Sequence, residues 1–189
     1  GVTVASEGSL TLDGTTGGLV GAGELTLNAK IGITINDNLT TAGTTAINAD
    51  SDGTGGAGTL TLAALKTLST TDNVLTITAE DLALSGTGIS SGSANTTITD
   101  SDDDGIGLGA TASTNGLDVD VAELTKITGA NVEFVSAGNI DLDNVSAAST
   151  ANVSGTLILD SAADINVANN AIVITNALAL EADNQVDVD

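Results

Sequence analysis

The chain has 189 residues and a net charge of −22, because 25 acidic residues are balanced by only three basic ones, all lysines. A protein that binds the phosphate backbone of nucleic acids needs a basic patch, and three lysines cannot build one. No stretch approaches the roughly 20 consecutive apolar residues of a membrane-spanning helix. We therefore expect neither nucleic-acid binding nor membrane insertion.

The apolar residues are uniform in shape. They make up 41% of the chain, but Phe134 is the only aromatic residue and Met is absent. Globular cores use mixed shapes, including rings, to reach high packing density, whereas stacked Leu, Ile and Val suit the narrow core of a solenoid. The absence of Pro agrees with a backbone whose N–H groups are used in strand ladders, and the absence of Cys excludes disulfides and thiolate sites.

Short runs with an apolar residue at every second position follow one another along the whole chain. In such a run the apolar side chains share one face of a strand, and the residue between them points to the other face. Gly, Asn, Asp, Ser and Thr between the runs favour turns. In chain order, the predicted strands are Val2–Val4, Leu10–Leu12, Leu25–Leu27, Ile33–Ile35, Leu60–Leu62, Leu75–Ile77, Leu82–Leu84, Ile106–Leu108, Leu117–Val119, Val132–Phe134, Ile140–Leu142, Leu157–Leu159, Ile165–Val167, Ile172–Ile174, Leu178–Leu180 and Val186–Val188.

The spacing of these runs predicts a solenoid. Residues 58–84, GTLTLAALKTLSTTDNVLTITAEDLAL, contain three runs in succession, and neighbouring runs are commonly seven or eight positions apart. Three such steps make a coil of roughly 20 to 25 residues, which is a typical solenoid repeat. We therefore predict an all-β fold, a parallel β-helix of about eight coils in which residues 1–189 form a single unit.

Irregular segments interrupt this rhythm. Residues 48–58, 86–104 and 109–116 are predicted as wider loops that leave the corners of the coils. Residues 121–127 resemble a helical turn, and the strand signals on both sides favour another coil or a short helix at a corner. Thr-x-Thr pieces such as residues 76–78 do not recur in one register by sequence spacing, so we expect ordinary outward strand positions there rather than a repeated flat face.

Both ends of the chain carry strand signals. Val2–Val4 and Val186–Val188 lack the polar cap that a finished solenoid needs, because an open terminal coil exposes backbone groups and apolar surface. With the initial Gly1 in place of Met, this pattern predicts a processed piece of a longer rod or a unit that stacks head to tail with copies of itself.

Two long stretches resemble the repeat region of filamentous-haemagglutinin-like exoproteins, which are large bacterial surface adhesins of the two-partner secretion type. They are residues 32–64 (GITINDNLTTAGTTAINADSDGTGGAGTLTLAA) and residues 106–165 (IGLGATASTNGLDVDVAELTKITGANVEFVSAGNIDLDNVSAASTANVSGTLILDSAADI). The resemblance implies a right-handed parallel β-helix that lies on the bacterial cell surface or is released from it. It also implies a structural role in an extracellular filament or adhesin, with copies of itself or adjoining repeats, and a host or surface receptor, as partners.

One acidic motif is a candidate calcium site. Asp100, Asp102 and Asp104 stand at alternate positions before Gly105, as in the opening of a calcium-binding loop. The position where such a loop would close with a bidentate acid is Thr111, so a solvated acidic corner without an ion stays open as the alternative. Residues 50–53 (DSDG) form a shorter version of the same motif. No other cofactor is expected.

Catalysis has little support in the residue types. Without His, Cys or Arg the usual nucleophile–base pairs cannot be assembled, so we expect a non-enzyme. Paired carboxylates could still cleave glycosides, which leaves a β-helical polysaccharide-degrading enzyme as one alternative. A surface module that binds calcium or a carbohydrate is the other alternative to a structural rod.

Overall fold

The computed structural model describes residues 1–14, 18–54, 57–110, 116–168, 174 and 176–188. In chain order the first eleven strands are β1 (Val2–Ser6), β2 (Leu10–Leu12), β3 (Leu19–Gly21), β4 (Leu25–Ala29), β5 (Ile33–Ile35), β6 (Leu39–Thr41), β7 (Thr45–Asn48), β8 (Thr59–Leu62), β9 (Thr67–Ser69), β10 (Leu75–Ala79) and β11 (Asp81–Leu84). The remaining elements are β12 (Gly88–Ser90), β13 (Thr96–Asp100), β14 (Ile106–Gly109), β15 (Leu117–Asp120), α1 (Val121–Leu124), β16 (Ile127–Thr128), β17 (Val132–Ser136), β18 (Ile140–Asp143), β19 (Thr156–Ser161), β20 (Ile165–Val167), β21 (Ala177–Ala182) and β22 (Val186–Val188).

The strands wind into a parallel β-solenoid of about seven turns, which confirms the predicted fold class. Face 1 is one eight-stranded parallel sheet in the order β1-β4-β7-β10-β13-β17-β19-β21. Face 2 follows face 1 around each coil and consists of two sheets, β2-β5-β8-β11 and β15-β14-β18-β20-β22. Face 3 contains β3-β6-β9-β12-β16, and an isolated parallel bridge between Gly129 and Val153 continues it.

Inward-facing residues stack on their equivalents one coil later, which is the property that defines the fold. On face 1 the central column passes through eight aliphatic or aromatic side chains, and its members from Leu27 to Leu159 are at most 2% exposed. Burial of apolar surface at about 25 cal/mol per Å² makes such columns the main source of stability. The column consists of Val4, Leu27, Ile47, Ile77, Ile98, Phe134, Leu159 and Leu180.

Coil length varies more than the sequence spacing predicts. Paired residues on face 1 are separated by as few as 20 positions, from Leu25 to Thr45, and by as many as 36, from Thr96 to Val132. The longest coil accommodates the additional strand β15 and helix α1. Of the two alternatives expected for residues 121–127, another coil or a short helix at a corner, the structure shows the short helix.

Two glycines make the sharp corner that leads into face 2. Gly32 and Gly105 have φ of +117° and +115°, a region that favours glycine, and each directly precedes a face 2 strand. A Cβ atom would lie 3.0 Å from the Thr59 carbonyl oxygen at Gly32 and 2.7 Å from the Asn139 carbonyl oxygen at Gly105. The backbone of the next coil therefore crowds a Cβ atom at Gly32 and clashes with one at Gly105, and the positive φ strains any other residue at both positions.

Two sequence-based expectations were wrong. Residues 86–104 are not one wide loop, because β12 and β13 lie within them. Thr-x-Thr pieces do recur in one register, since Thr76 pairs with Thr97 and Thr78 pairs with Thr99 in the adjacent coil. The predicted loop at residues 109–116 and the predicted strand Ile172–Ile174 fall largely outside the described residues.

Within the described residues, α1 is the one helix, and no helix there has the length and apolarity needed to cross a membrane.

Candidate functional sites

Asp100 lies inside the solenoid rather than in an open metal loop. It ends β13 in an inward column of small residues, where Ala79 precedes it and Ser136 follows. The side chain is 2% exposed, and its Oδ2 atom accepts hydrogen bonds from the Gly105 amide and the Ser136 hydroxyl, both at 2.9 Å. Burial raises the pKa of the Asp100 carboxyl, and these hydrogen bonds oppose the rise. The Asp100 carboxylate therefore stabilises the turn between β13 and β14 by accepting the Gly105 amide hydrogen.

The other two predicted calcium ligands lie further out on the same turn. Asp102 is partly exposed and Asp104 is exposed, and Thr111 lies outside the described residues. Among the residues that the structure describes, no three acidic side chains converge closely enough to hold a metal ion together. Calcium binding at Asp100, Asp102 and Asp104 therefore stays a prediction, without a preformed ligand set in the structure.

The fold brings the second acidic motif to this corner. Ser51 donates its amide hydrogen to the Ala29 carbonyl oxygen at 2.8 Å, while the Ser101 hydroxyl donates to Oδ2 of Asp50 at 2.8 Å. The loop after β7 therefore reaches across to the turn after β13, and two motifs about 50 residues apart become neighbours. We call Asp50, Asp52, Ser101 and Asp102 the acidic corner.

Asp50 is the buried centre of the acidic corner. It is 2% exposed, and its Oδ1 atom has no hydrogen-bond partner among the described residues. Burial raises the pKa of the Asp50 carboxyl to about 6; the Ser101 hydroxyl opposes the rise, and the neighbouring Asp102 and Asp52 carboxyls add to it. A proton or a cation would relieve this crowding of carboxylates.

A second unusual site lies where the two sheets of face 2 meet, between β11 and β15. Side chains replace the backbone ladder there: Oε1 of Glu123 accepts the Leu84 amide hydrogen at 2.9 Å, and the Lys126 ammonium donates to the Leu84 carbonyl oxygen. The Asp81 carboxylate likewise accepts a hydrogen bond from the Asp118 backbone. We call this contact the seam.

Helix α1 positions the seam. Asp120 and Glu123 form a capping box, in which Oδ1 of Asp120 accepts the Glu123 amide hydrogen at 2.8 Å and Oε2 of Glu123 accepts the Asp120 amide hydrogen at 3.3 Å. Burial raises the pKa of the Glu123 carboxyl, and hydrogen bonds from the Leu84 and Asp120 backbones oppose the rise. The spacing of Asp120 and Glu123 is the sequence signal that could have located this helix start.

Removing the Glu123 side chain should destabilise the seam. We expect Glu123→Ala to cost about 1–3 kcal/mol, because the Leu84 amide loses its acceptor and the capping box is lost. Glu123→Gln keeps the shape and one acceptor oxygen without the buried charge, so its stability should stay within about 1 kcal/mol of the parent. Urea unfolding followed by circular dichroism measures both variants, and equal losses in both would contradict this role.

The first and last coils of the described residues have exposed apolar side chains. At the N-terminal end a cavity of about 460 Å³ opens between apolar side chains of the first two coils, including Val4, Leu12, Leu19 and Leu27. At the C-terminal end the chief exposed apolar residues are Val186 and Val188.

A smaller, polar groove lies on face 3. It has a volume of about 280 Å³ and no acidic residue in its lining, whose polar members include Thr67, Ser69, Ser90 and Thr128. Lys126 also lines this groove, although its ammonium donates to Leu84. The paired carboxylates that glycoside cleavage requires are therefore not placed in this groove.

Comparison of the chain with protein-family models, with curated proteins and with solved structures finds no match.

Proposed function

We propose that this chain is a structural segment of an extracellular bacterial filament or adhesin, in which stacked coils form a stiff rod. The observation that supports this most directly is the central column of face 1, which continues from Val4 to Leu180 beneath one eight-stranded ladder. Each coil is therefore bonded to the next by backbone hydrogen bonds and by side-chain packing.

This construction favours resistance to bending and stretching. Bending the rod or pulling along its axis would strain parallel ladders on three faces together with the apolar columns between them. At about 4.8 Å per strand, a solenoid of about seven turns forms a rod of roughly 35 Å. A structural element of this kind needs no catalytic site.

The extracellular bacterial setting rests on the resemblance of residues 32–64 and 106–165 to filamentous-haemagglutinin-like repeats. The composition is compatible with that setting. A net charge of −22 favours solubility, and a chain without Cys forms no disulfides.

Two measurements test the proposal. Small-angle X-ray scattering should show an elongated particle with the cross-section of one solenoid, and immunogold electron microscopy of the producing cells should place the chain on surface fibres. A compact or expanded particle would contradict the rod, and label confined to the cell interior would contradict the extracellular role.

Calcium binding is the second candidate function, and the buried, unpartnered Oδ1 of Asp50 is the observation that favours it, although the three carboxylates of the acidic corner do not form a ready ligand set in the described residues. Two Asp-x-Asp motifs meet there around the unpartnered Oδ1 of buried Asp50, and carboxylate oxygens are the ligands that Ca²⁺ prefers. Calorimetric titration with calcium chloride should give binding heat and a raised melting temperature. No heat and no change in melting at millimolar calcium would contradict this function.

Two variants separate the possible ligand sets. Asp50→Asn should abolish the calcium effect if the ion sits in the acidic corner, and Asp104→Asn should leave it unchanged. The reverse result would instead support the predicted loop of Asp100, Asp102 and Asp104.

A further inference from the structure

The start of the loop after β7 reaches past the neighbouring coil. In a solenoid each coil normally contacts only the coils next to it. The order on face 1 is β7-β10-β13, so the turn after β13 lies two strand spacings, about 10 Å, from the end of β7. The Ser101 hydroxyl of that turn nevertheless donates to Oδ2 of Asp50 at 2.8 Å, and a Cβ atom at Gly53 would lie 3.6 Å from the Ser101 carbonyl oxygen. We call residues 50–54 the strap.

The strap is fastened on two sides by hydrogen bonds. On one side the Ser51 amide donates to the carbonyl oxygen of Ala29, the last residue of β4, at 2.8 Å. On the other side Asp50 accepts the hydroxyl hydrogen of Ser101. Residues 51–54 are exposed and place no side chain in the core. Opening of the strap would therefore leave the apolar columns and the strand ladders in place, as in local unfolding.

Asp50 holds the side of the strap that faces β13, and it is buried there. Its side chain is 2% exposed, and its Oδ1 atom has no hydrogen-bond partner among the described residues. Gly58 packs so closely over it that a Cβ atom at Gly58 would lie 2.5 Å from the Asp50 Cβ atom. Asp100, next to Ser101, points inward and is held by other partners. A buried carboxylate with an unpaired oxygen is costly, and this cost disappears when the group is protonated or exposed.

Charged groups from four elements surround this carboxyl. Asp52 on the strap and Asp102 on the turn after β13 both disfavour a charge on Asp50. Glu80, after β10, lies on the other side of Gly58. Lys30, after β4, acts on Asp52 and forms its ion pair with another carboxylate. Ionisation of Asp50 therefore brings three carboxylates together, whereas protonation gives Asp50 a donor for the Asp102 or Asp52 carboxylate.

We propose that a proton controls the strap, which is fastened to the turn after β13 while Asp50 is protonated and is released when Asp50 ionises. Burial in the closed strap raises the pKa of the Asp50 carboxyl to about 6, so closure is favoured at low pH and weakens as the pH rises through this value. A fastened strap ties together coils that otherwise contact only their neighbours, so acid should stiffen this part of the solenoid. The inference depends neither on the proposed structural role nor on calcium binding.

Native-state hydrogen exchange followed by nuclear magnetic resonance measures how often the strap opens. The Ser51 amide is protected while the strap is closed, and the protection factor corrects for the intrinsic pH dependence of exchange. With a chelator present to remove calcium, the Ser51 protection factor should fall roughly 50-fold between pH 4 and pH 8. The Ala49 amide bonds to the Thr78 carbonyl oxygen at 2.8 Å within the ladder and should stay far better protected at both pH values.

Three variants identify the group that responds to pH. Asp50→Asn keeps an oxygen for the Ser101 hydroxyl and carries no charge, so Ser51 should stay as protected at pH 8 as at pH 4. Ser101→Ala removes one hydrogen bond that fastens the strap and should lower Ser51 protection at pH 4 about 2- to 10-fold. Asp13→Asn removes a charge from an exposed residue after β2, and the fall between pH 4 and pH 8 should persist. Circular dichroism verifies that each variant is folded.

Three results would overturn the proposal. Ser51 protection that does not change with pH in the parent would show that no proton controls the strap. An unchanged fall in Asp50→Asn would assign the response to another group. Equal protection of Ser51 and Ala49 at pH 8 would show that the strap opens only together with its strand. These results leave the elongated shape untouched, because small-angle scattering tests that separately.

Discussion

Phe134→Ala is expected to lower the free energy of unfolding by about 3 to 5 kcal/mol, the usual cost of truncating a buried aromatic side chain. Phe134 is fully buried and stands in the central column between Ile98 and Leu159. Coils on either side are fixed by their own ladders, so they cannot close the cavity that the truncation leaves. Unfolding in urea, followed by circular dichroism, measures the loss.

Val135→Ala is the control for this prediction. Val135 is the next residue of β17 but points outward and is partly exposed, so its truncation should cost less than about 1 kcal/mol. Similar losses in the two variants would contradict the inward assignment of Phe134. A separate, earlier transition in Phe134→Ala would show that the solenoid unfolds in parts, as repeat proteins can.

Asp50→Asn is expected to stabilise the protein by about 3 kcal/mol at pH 8 and to change little at pH 4. The pKa of the Asp50 carboxyl is raised from 3.8 to about 6, and each unit is worth 1.36 kcal/mol. The folded state binds the proton of the Asp50 carboxyl more tightly than the unfolded state does. The protonated carboxyl therefore contributes to the free energy of unfolding at low pH, and this contribution is lost as the pH rises from about 4 through 6. Asparagine keeps an oxygen for the Ser101 hydroxyl and carries no charge.

Denaturation between pH 4 and pH 8 in the presence of a chelator tests this expectation. Burial also raises the pKa values of the Asp81, Asp100 and Glu123 carboxyls, so the parent should lose stability across the same range. Asp13→Asn removes one charge from an exposed position and serves as the control for net charge, with an expected change of less than about 0.5 kcal/mol. If Asp50→Asn raised the free energy of unfolding equally at pH 4 and pH 8, the gain could not come from removing the buried Asp50 carboxylate.

Strands with two inward apolar residues could be predicted from the sequence, and those with one could not. Strands β2, β5, β8 and β11 of face 2 each place two aliphatic side chains inward and were found by their alternation. Face 3 strands β6, β9, β12 and β16 contribute a single inward aliphatic residue each, which leaves no periodicity to detect.

On face 1, buried threonines concealed two further strands. Thr45 in β7 and Thr96 in β13 occupy inward positions where other coils have Leu or Val. Their hydroxyls are satisfied within the interior, by Thr41 at 2.6 Å and by Ser91 at 2.8 Å. At these positions a hydrogen-bonded pair of hydroxyls takes the place of packed aliphatic side chains. A search for alternating apolar residues therefore does not detect these two strands.

The candidate sites depended on contacts that have no local signal. Both Asp-x-Asp motifs were visible in the sequence, but their meeting depends on how far the loop after β7 reaches across the coils. The same holds for the seam, where Glu123 and Lys126 bond to Leu84 about 40 residues earlier. Such contacts follow from the stacking order of the coils rather than from the residues near either partner.

The unequal strand numbers of the faces have a consequence for the path of the solenoid axis. Face 1 has eight strands and face 2 has nine in the described residues, so face 2 is longer by one strand spacing, about 4.8 Å. A solenoid in which face 2 is longer than face 1 is expected to bend toward face 1, at the level of α1 where the additional strand β15 is inserted. The solenoid axis is therefore expected to bend at this level rather than to run straight along its whole length.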